Sequence, residues 1–322
     1  MQPAVSILVP IYNVSKHIER CAHSLFRQTF DDIEYVFVND CTPDDSVEKL
    51  QKVIEQYPDR KVNIIHHEKN RGLAAARNTA IDNSTGKYIQ HIDSDDWIAL
   101  DMIETMYKKA QAEQADIVVA DVIVECGKSQ FIQTDIVVEN RDDNFRNMLI
   151  NNVCQGYIWN KFIRRTLYEL YDCRVPEGLN YLEDRYVITR LYFYANKVIK
   201  INNAFYHYNR TNENSIISKK NKTHFENLIL FWASLDDFLK ENNIYDKYSD
   251  LVEYLKAHSK VGIITQTHSY RLRKQYAWLF RDFEMKYISR FRFGEKLILF
   301  FTHYRMYALA QLTHCLIWLK NS

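Results

Sequence analysis

Over about the first 120 residues, short apolar runs alternate with stretches of helical period at the spacing of successive βαβ units. Val5-Ser6-Ile7-Leu8-Val9 reads as a buried strand stopped by Pro10, and Ile18, Cys21, Ala22, Leu25 and Phe26 then share one face of an amphipathic helix. Glu34 to Val38 forms a second strand, Val47 to Tyr57 a helix, and Val62 to His66 a third strand. An Ala-rich helix runs from Leu73 to Ile81, followed by a strand from Lys87 to Ile92, a helix from Met102 to Ala112 and a strand from Asp116 to Ala120. This alternation predicts an α/β, Rossmann-like, mainly parallel sheet flanked by helices, with right-handed crossovers.

Beyond Val122 the alternation fades into a strand at Phe131 to Val138, a helix near Phe145 to Asn151 and a helix from Asp184 to Asn196, and the core domain is placed at residues 1–215. Residues 216–322 read as a helical, basic and aromatic C-terminal extension in which Phe225, Leu228, Ile229 and Trp232 mark one face. From Arg271 onward, ten Lys and Arg stand against Asp282, Glu284 and Glu295, a local charge of +7. That charge, with Arg290-Phe291-Arg292-Phe293 and the apolar run Leu297 to Phe301, suits either an interfacial helix on an anionic membrane leaflet or a helical subdomain.

With 42 basic and 41 acidic residues the net charge is +1, so no global field holds nucleic acid, and none is expected as a partner. Six Cys without a CxxC pair indicate neither a zinc knuckle nor a disulfide framework, which fits a reducing, cytoplasmic setting. The N-terminus lacks the basic and apolar regions of a signal peptide, and no run approaches the ~20 apolar residues of a spanning helix.

In an open α/β sheet, ligands bind beyond the carboxyl ends of the strands, and three polar clusters fall there. They are Pro10-Ile11-Tyr12-Asn13, Asn39 to Ser46, and Asp93-Ser94-Asp95-Asp96-Trp97. Alternate carboxylates in Asp93-Ser94-Asp95 can place one oxygen on a divalent cation and another on a ribose hydroxyl, Mn²⁺ and Mg²⁺ being the cations that prefer such ligation. The alternative for this segment is an Asp-rich turn with Asp96 as a helix cap. Asp40 can accept the N3–H of a uracil ring or close an Asx turn, and Tyr12 can offer its ring to the base or sit at the core's rim. Arg77 can reach a carboxylate or a phosphate. His66-His67 reads as a strand end without a role, and His207 as part of an aromatic strand or a neighbour of the diphosphate.

Taken together, these segments resemble the family 2 glycosyltransferases of the GT-A fold, enzymes of bacterial surface polysaccharide synthesis. Pro10-Ile11-Tyr12-Asn13 resembles P-x-Y-N, and Val38-Asn39-Asp40-Cys41-Thr42-Pro43-Asp44-Asp45-Ser46 resembles V-D-D-G-S-T-D-x-S, with Asn39 for the first Asp and Cys41-Thr42 for Gly-Ser. Asn70 to Asn78 is similar to N-x-G-x-x-x-A-R-N, and Asp93 to Trp97 reads D-S-D-D-W. The resemblance implies a donor side of Pro10, Tyr12, Asn13, Asp40, Gly72, Arg77, Asp93 and Ser94, with Asp40 on the uracil of a UDP-sugar and Asp93 on its ribose. It implies Asp95 on a Mn²⁺ or Mg²⁺ ion. Glu183-Asp184 resembles the family's E-D dyad, making Asp184 the general base and Glu183 its helper, and Trp159-Asn160-Lys161 resembles a W-N-K segment, putting Trp159 on the acceptor side or in the core. The implied reaction is an inverting, metal-dependent transfer to a glycan or lipid-linked glycan acceptor.

Other classes fit less well. A nucleotidylyltransferase needs a Gly-rich basic loop after the first strand, and a dinucleotide-dependent dehydrogenase needs G-x-G-x-x-G; the chain has neither. A degenerate fold serving as a carbohydrate-binding or scaffold module has no need of Asp40, Asp93, Asp95 and Asp184.

Overall fold

The N-terminal apolar run forms β1 (Val5–Ile11), which continues through Pro10 instead of stopping there. The reason lies in the pairing. On one side β1 is matched to its neighbour as far as Ile11, but on the other its partner ends opposite Leu8, so the missing N–H of Pro10 breaks no ladder bond on that side. The computed structural model of the chain describes residues 2–150, 155–212, 222–266 and 270–321.

The expected alternation is present as α1 (Ile18–Phe26), β2 (Ile33–Asn39), α2 (Ser46–Ile54), β3 (Lys61–His66), α3 (Leu73–Asp82), β4 (Tyr88–His91), β5 (Trp97–Ile98), α4 (Met102–Glu113) and β6 (Ile117–Cys126). Then come β7 (Ser129–Gln133), α5 (Arg141–Leu149), β8 (Lys161–Arg164), α6 (Arg165–Leu170), α7 (Glu183–Tyr194) and β9 (Val198–Asn209). The remaining helices are α8 (Lys222–Glu241), α9 (Tyr245–Gln266), α10 (Tyr270–Tyr276), α11 (Arg281–Glu284), α12 (Phe293–His303) and α13 (Tyr307–Asn321). Two compact units result, Met1–Phe231 and Trp232–Ser322.

The first unit holds one sheet in the order β3-β2-β1-β4-β8-β6-β9-β5, with β7 paired to β6. The first four strands of that order are parallel to one another, as expected. Past β4 the sheet is mixed: β8 runs antiparallel to both its neighbours, and β6 and β9 are parallel. The strand expected at Phe131 to Val138 ends at Gln133, because Asp135 leaves the ladder as a buried turn residue whose Oδ1 accepts from the N–H groups of Ile136 and Gln155. The helix expected at Phe145 to Asn151 begins earlier, at Arg141, where the side chain of Asn140 caps the N–H of Asp143, and Asn151 lies outside the described residues. β8 and α6 went unseen because four- and six-residue elements carry too little periodicity to register.

The core of this unit packs one face of the sheet against α1, α2 and α4 through Ile7, Val9, Leu25, Phe37, Leu50, Met106 and Val118, with Tyr88 and Phe162 stacked at 4.9 Å across β4 and β8. Where β1 and β4 begin, backbone and backbone nearly touch. A Cβ on Gly86 would lie 2.5 Å from Ser6 Oγ and 2.6 Å from Ser6 N, and the Gly86 N–H donates to Ser6 Oγ and to Glu34 Oε1.

The second unit has its own smaller core of Ala257, Val261, Tyr287, Phe291 and Leu299. A buried Lys260–Glu284 ion pair and the His303 ring on the other Glu284 oxygen join α9, α11 and α12. Among the described residues, no helix is long and apolar enough to cross a membrane.

Gly86→Ala is expected to destabilise the protein by about 1–3 kcal/mol, since the clash is with backbone that cannot give way. Urea unfolding followed by far-UV circular dichroism checks this through a lower midpoint at unchanged slope.

Candidate active site

β1 and β2 end side by side, and the Asp40 N–H closes onto the carbonyl of Ile11 at 3.0 Å. Just past β1, Tyr12 is 48% exposed and Asn13 takes a left-handed φ of 55°, its N–H donating to Thr42 Oγ1 at 2.8 Å. Asp44 locks the two turns together, accepting from Thr42 Oγ1 on one oxygen and from the Ser15 N–H on the other. Burial opposes ionisation of Asp44, but the bonds from Ser46, Thr42 and Ser15 hold its carboxyl below the usual range. Cys41 also has a positive φ, 56°, at the position where the resembled pattern carries glycine.

Asp40 is buried beside this turn. Its Oδ1 receives His67 Nδ1 at 2.7 Å and the Arg71 N–H at 2.8 Å, and its Oδ2 receives the Gly72 N–H at 2.8 Å. A carboxylate offers about four acceptor positions, so about one remains for an incoming N–H. His67, read from the sequence as having no role, is thus a positioning residue, with its second nitrogen on Thr79 Oγ1 at 2.9 Å. The histidine pair gave no sign of this, because the contact to Asp40 arises only when β3 lies beside β2. Gly72 has φ 88°, and a Cβ there would fall 2.4 Å from the Asn180 amide, so the start of α3 admits no side chain.

The second strand-end cluster follows β4. Asp96 is a structural anchor, taking the Tyr206 hydroxyl and the Asn209 N–H at 2.7 Å each, which ties the loop to β9. Burial, then repulsion from Asp95 and Asp93, pushes its carboxyl well above the ordinary range. Ser94 is buried, and Asp95 is partly buried with Asn212 donating to its Oδ2 at 2.7 Å. Burial, with Asp93 adding, raises the Asp95 carboxyl too. Arg20 braces the same turn, donating to the Asp95 carbonyl at 3.1 Å with its guanidinium 3.5 Å over Trp97. His207 stacks on the same Trp97 ring at 4.9 Å and bonds Glu125 Oε1, so it belongs to the aromatic strand β9.

Arg77 joins the two halves of the site. Reaching from α3 and only 3% exposed, it donates to Asp93 Oδ1 and to Glu183 Oε1 at 2.8 Å each, and to Asp184 Oδ1. Glu183 and Asp184 form the first turn of α7, where the helix dipole favours negative charge. The residue before them, Leu182, has φ 67°, a conformation a branched side chain adopts only under constraint. The constraint comes from Asn227, which accepts from the N–H groups of Asn180 and Tyr181 and donates to the Gly178 carbonyl, and from Asn78, which bonds both sides of Val175. Burial pushes both dyad carboxyls above the ordinary range, helped by repulsion from Asp184 at Glu183 and from Asp93 at Asp184, while Arg77 opposes the rise.

Trp159 is not an open platform. It is 3% exposed and its rings stack with Tyr206 at 4.4 Å, Tyr157 at 4.6 Å and Tyr208 at 5.2 Å, so no face is left for a sugar. This corrects the acceptor-side expectation: the W-N-K segment instead fixes the loop in front of the dyad. Lys161, fully buried, donates to the carbonyls of Gln155 and Tyr157 and to Asn160 Oδ1, and the loop presents the Ile158 N–H to Asp184 Oδ2 at 3.3 Å. Of the other sequence-read residues, Pro10, Tyr12 and Asn13 gather with Asp40 and Gly72 at the β1 and β2 ends, and Arg77, Asp93, Glu183 and Asp184 form one bonded cluster.

Comparison with known proteins bears on the fold and the family. EpsH of Bacillus subtilis, which carries a glycosyltransferase name, is 33% identical over 275 residues, covering 82% of this chain and 77% of that one. The S. aureus TarS 1–349 structure in complex with UDP-GlcNAc superposes with a TM-score of 0.75 at 18% identity, covering 98% of this chain and 90% of that one. The mannosyltransferase PcManGT of Pyrobaculum calidifontis, in complex with GDP-Man and Mn²⁺, covers 100% of this chain and 87% of its own at a TM-score of 0.52 and 15% identity. With its GT-A-like fold and residues 6–171 matching the family described as glycosyl transferase family 2, the chain belongs to that family of glycosyltransferases.

Proposed function

We propose that the chain moves a sugar from a nucleotide sugar, specifically a UDP-sugar, to a hydroxyl of a glycan or lipid-linked acceptor in surface polysaccharide synthesis, with inversion at the anomeric carbon. The observation that carries this reading is the Arg77 cluster, in which one guanidinium holds Asp93 of the D-S-D segment and both acids of the dyad. Donor-side and acceptor-side groups are thereby set in one rigid assembly, as an in-line displacement requires. The UDP and UDP-GlcNAc complexes of TarS support a uridine donor, and the GDP-Man complex of PcManGT makes guanine the competing base.

In this reading Tyr12 stacks on the base, Asp40 takes its N–H on the remaining acceptor position, and Asp93 holds the ribose. Asp184 is the general base. Its Oδ1 is held by Arg77, and its Oδ2 meets only the long Ile158 contact among the described residues, so Oδ2 accepts the acceptor's proton. Glu183, fixed by the same guanidinium, orients the acceptor. The carbon–oxygen bond to the acceptor forms as the bond to the diphosphate breaks, and the proton ends on Asp184.

The residues fit a hard divalent cation. Asp95, with Asp93 beside it, offers carboxylate oxygens of the kind Mn²⁺ and Mg²⁺ take, and burial, then repulsion from Asp93, raises the Asp95 carboxyl, a cost that a positive ion there would relieve. Among the described residues no three His, Cys, Asp or Glu gather as a metal site, so Asp95, with Asp93 beside it, is the group that would hold such an ion. Such an ion would supply charge neutralisation to the leaving diphosphate. We place the enzyme in the cytoplasm, with residues 1–215 as the transferase domain and residues 216–322 in peripheral contact with the inner face of the membrane.

Titration calorimetry with UDP and with GDP tests the donor site. UDP is expected to bind with Mn²⁺ present and weakly without it, and Asp95→Ala should remove the metal dependence; tighter binding of GDP would reassign the base. Asp184→Asn should lower kcat by about 10²–10⁴-fold while leaving UDP affinity within a few-fold, since it removes the proton acceptor but keeps the shape. Turnover at the parental rate would refute the choice of base, and sugar binding without any turnover in the parent chain would point to a binding module. Because Asp184 must be ionised and its carboxyl is raised, kcat/KM should fall with decreasing pH well before an ordinary aspartate, of pKa about 3.9, would titrate. A rate that stays flat down to that value would mean that no raised carboxyl takes part.

A further inference from the structure

We infer that the second unit carries a pocket for the phosphate of an anionic phospholipid headgroup, which gives the proposed membrane contact a specific site. Lys274 on α10, Trp278, Arg281 on α11, His303 at the end of α12, Arg305 in the α12–α13 turn and Tyr307 line a cleft of about 350 Å³. Three of these are fixed cations and none is an acid. Arg281 gives one N–H to the His303 carbonyl at 3.1 Å, and neither Lys274 nor Arg305 forms an ion pair among the described residues. A guanidinium fork and an ammonium facing one cavity match the tetrahedral oxygens of a phosphate group.

The nearest negative charge is already answered. Glu284 lies fully buried with one oxygen on Lys260 Nζ at 2.5 Å and the other on His303 Nδ1, so its charge is matched inside the unit before it reaches the cleft. Asp282 sits on the exposed side of α11 and does not line the cavity. Arg305 holds φ 60° while the Met306 N–H bonds the Phe301 carbonyl at 2.7 Å, a turn that fixes the backbone from which this cation lines the cleft.

The surroundings say which phosphate. Trp278 is 65% exposed, and Phe300, Tyr304, Met306, Leu309, Leu312 and Leu316 are exposed large apolar side chains on α12, on α13 and in the turn between them. A soluble phosphate has no use for that surface. A nucleic acid would call for basic residues spread along a groove. Aromatic and aliphatic side chains beside a cationic cleft are instead what a headgroup and its acyl chains meet at a bilayer surface.

Co-sedimentation of the full chain with vesicles tests this, using phosphatidylcholine alone and phosphatidylcholine mixed with phosphatidylglycerol. The parent should partition into the anionic vesicles at least roughly tenfold better, and Lys274→Gln with Arg305→Gln should remove that preference, while UDP calorimetry and the melting temperature stay unchanged. Leu312→Ser with Leu316→Ser should weaken binding to both vesicles. If the Gln pair binds anionic vesicles like the parent while the Ser pair does not, the membrane contact stands and the pocket is refuted. If no form binds either vesicle, both fall. Micromolar binding of inorganic pyrophosphate without vesicle binding would assign the cleft to a soluble ligand, and binding of an RNA oligomer lost in the Gln pair would assign it to nucleic acid; either overturns the lipid assignment.

Discussion

One guanidinium holds the site together. Arg77 leaves α3 beneath the sheet's carboxyl edge and takes three carboxylates, from the end of β4 and from the first turn of α7, so the relative position of three elements rests on its hydrogen bonds. The arrangement is electrostatically expensive. With every acid ionised the cluster is left negative, in a place where burial already raises Glu183 and Asp184. Arg77 itself is pushed the other way: burial works against its charge, but the three carboxylates raise its pKa beyond the usual value, so it stays cationic at every relevant pH. Burial, and after it the Arg77 charge, holds His91 well below the usual histidine value, so it adds no second positive charge. The spare negative charge is therefore available to a proton or to a ligand, which is the condition a general base needs.

The backbone around this cluster is under tension at the points where the chain turns out of its strands or into its helix. Asn13, Cys41 and Leu182 all take left-handed angles without being glycine. Each stands next to a proposed functional side chain: Tyr12, Asp40 and Glu183. A left-handed residue re-aims its neighbour sharply, and its cost is met by local hydrogen bonds, from Thr42 and Asp44 at the first two sites and from Asn227 and Asn78 at the third. Gly72 belongs to the same scheme. Only a residue without a Cβ lets α3 start close enough to Asn180 for the Arg71 and Gly72 N–H groups to face Asp40.

Much of this could be read from the sequence, and the parts that could not share a cause. The parallel half of the sheet is written in strong periodic runs, so β1, α1, β2 and α3 emerge within a residue or two. The mixed half depends on β8, four residues long, whose place between β4 and β6 is settled by partners far away in the chain. The acids Asp40, Asp93, Asp95 and Asp184 are visible because strand ends and a dyad have recognisable form, whereas what holds them is not. His67 at a strand end, Asn180 in a loop and Asn227 within the helical period of α8 acquire meaning only through contacts across 27 to 106 residues. Trp159 shows the opposite failure. A tryptophan beside Asn and Lys in a polar-sounding segment is as compatible with a platform as with a core, and only the three-dimensional stack with Tyr157, Tyr206 and Tyr208 decides for the core.

The same unit contains a second buried charge, and the contrast tells structure from function. Lys161 has Gln155, Tyr157 and Asn160 oxygens for its three protons, and Asp135 opposite it receives Asn160, Ile136 and Gln155, so charge and hydrogen-bonding capacity are both closed. That is how a polar network looks when its task is to hold a loop. The Arg77 cluster is open by comparison: acids outnumber the cation, and among the described residues Arg77 Nε has no hydrogen-bond partner and Asp184 Oδ2 has only a long contact. A chain selected for stability alone would gain by removing one acid or adding one base there. Its persistence beside a saturated network of similar size makes sense if the missing partners arrive with the substrates, the acceptor hydroxyl at Asp184 and the ribose at Asp93.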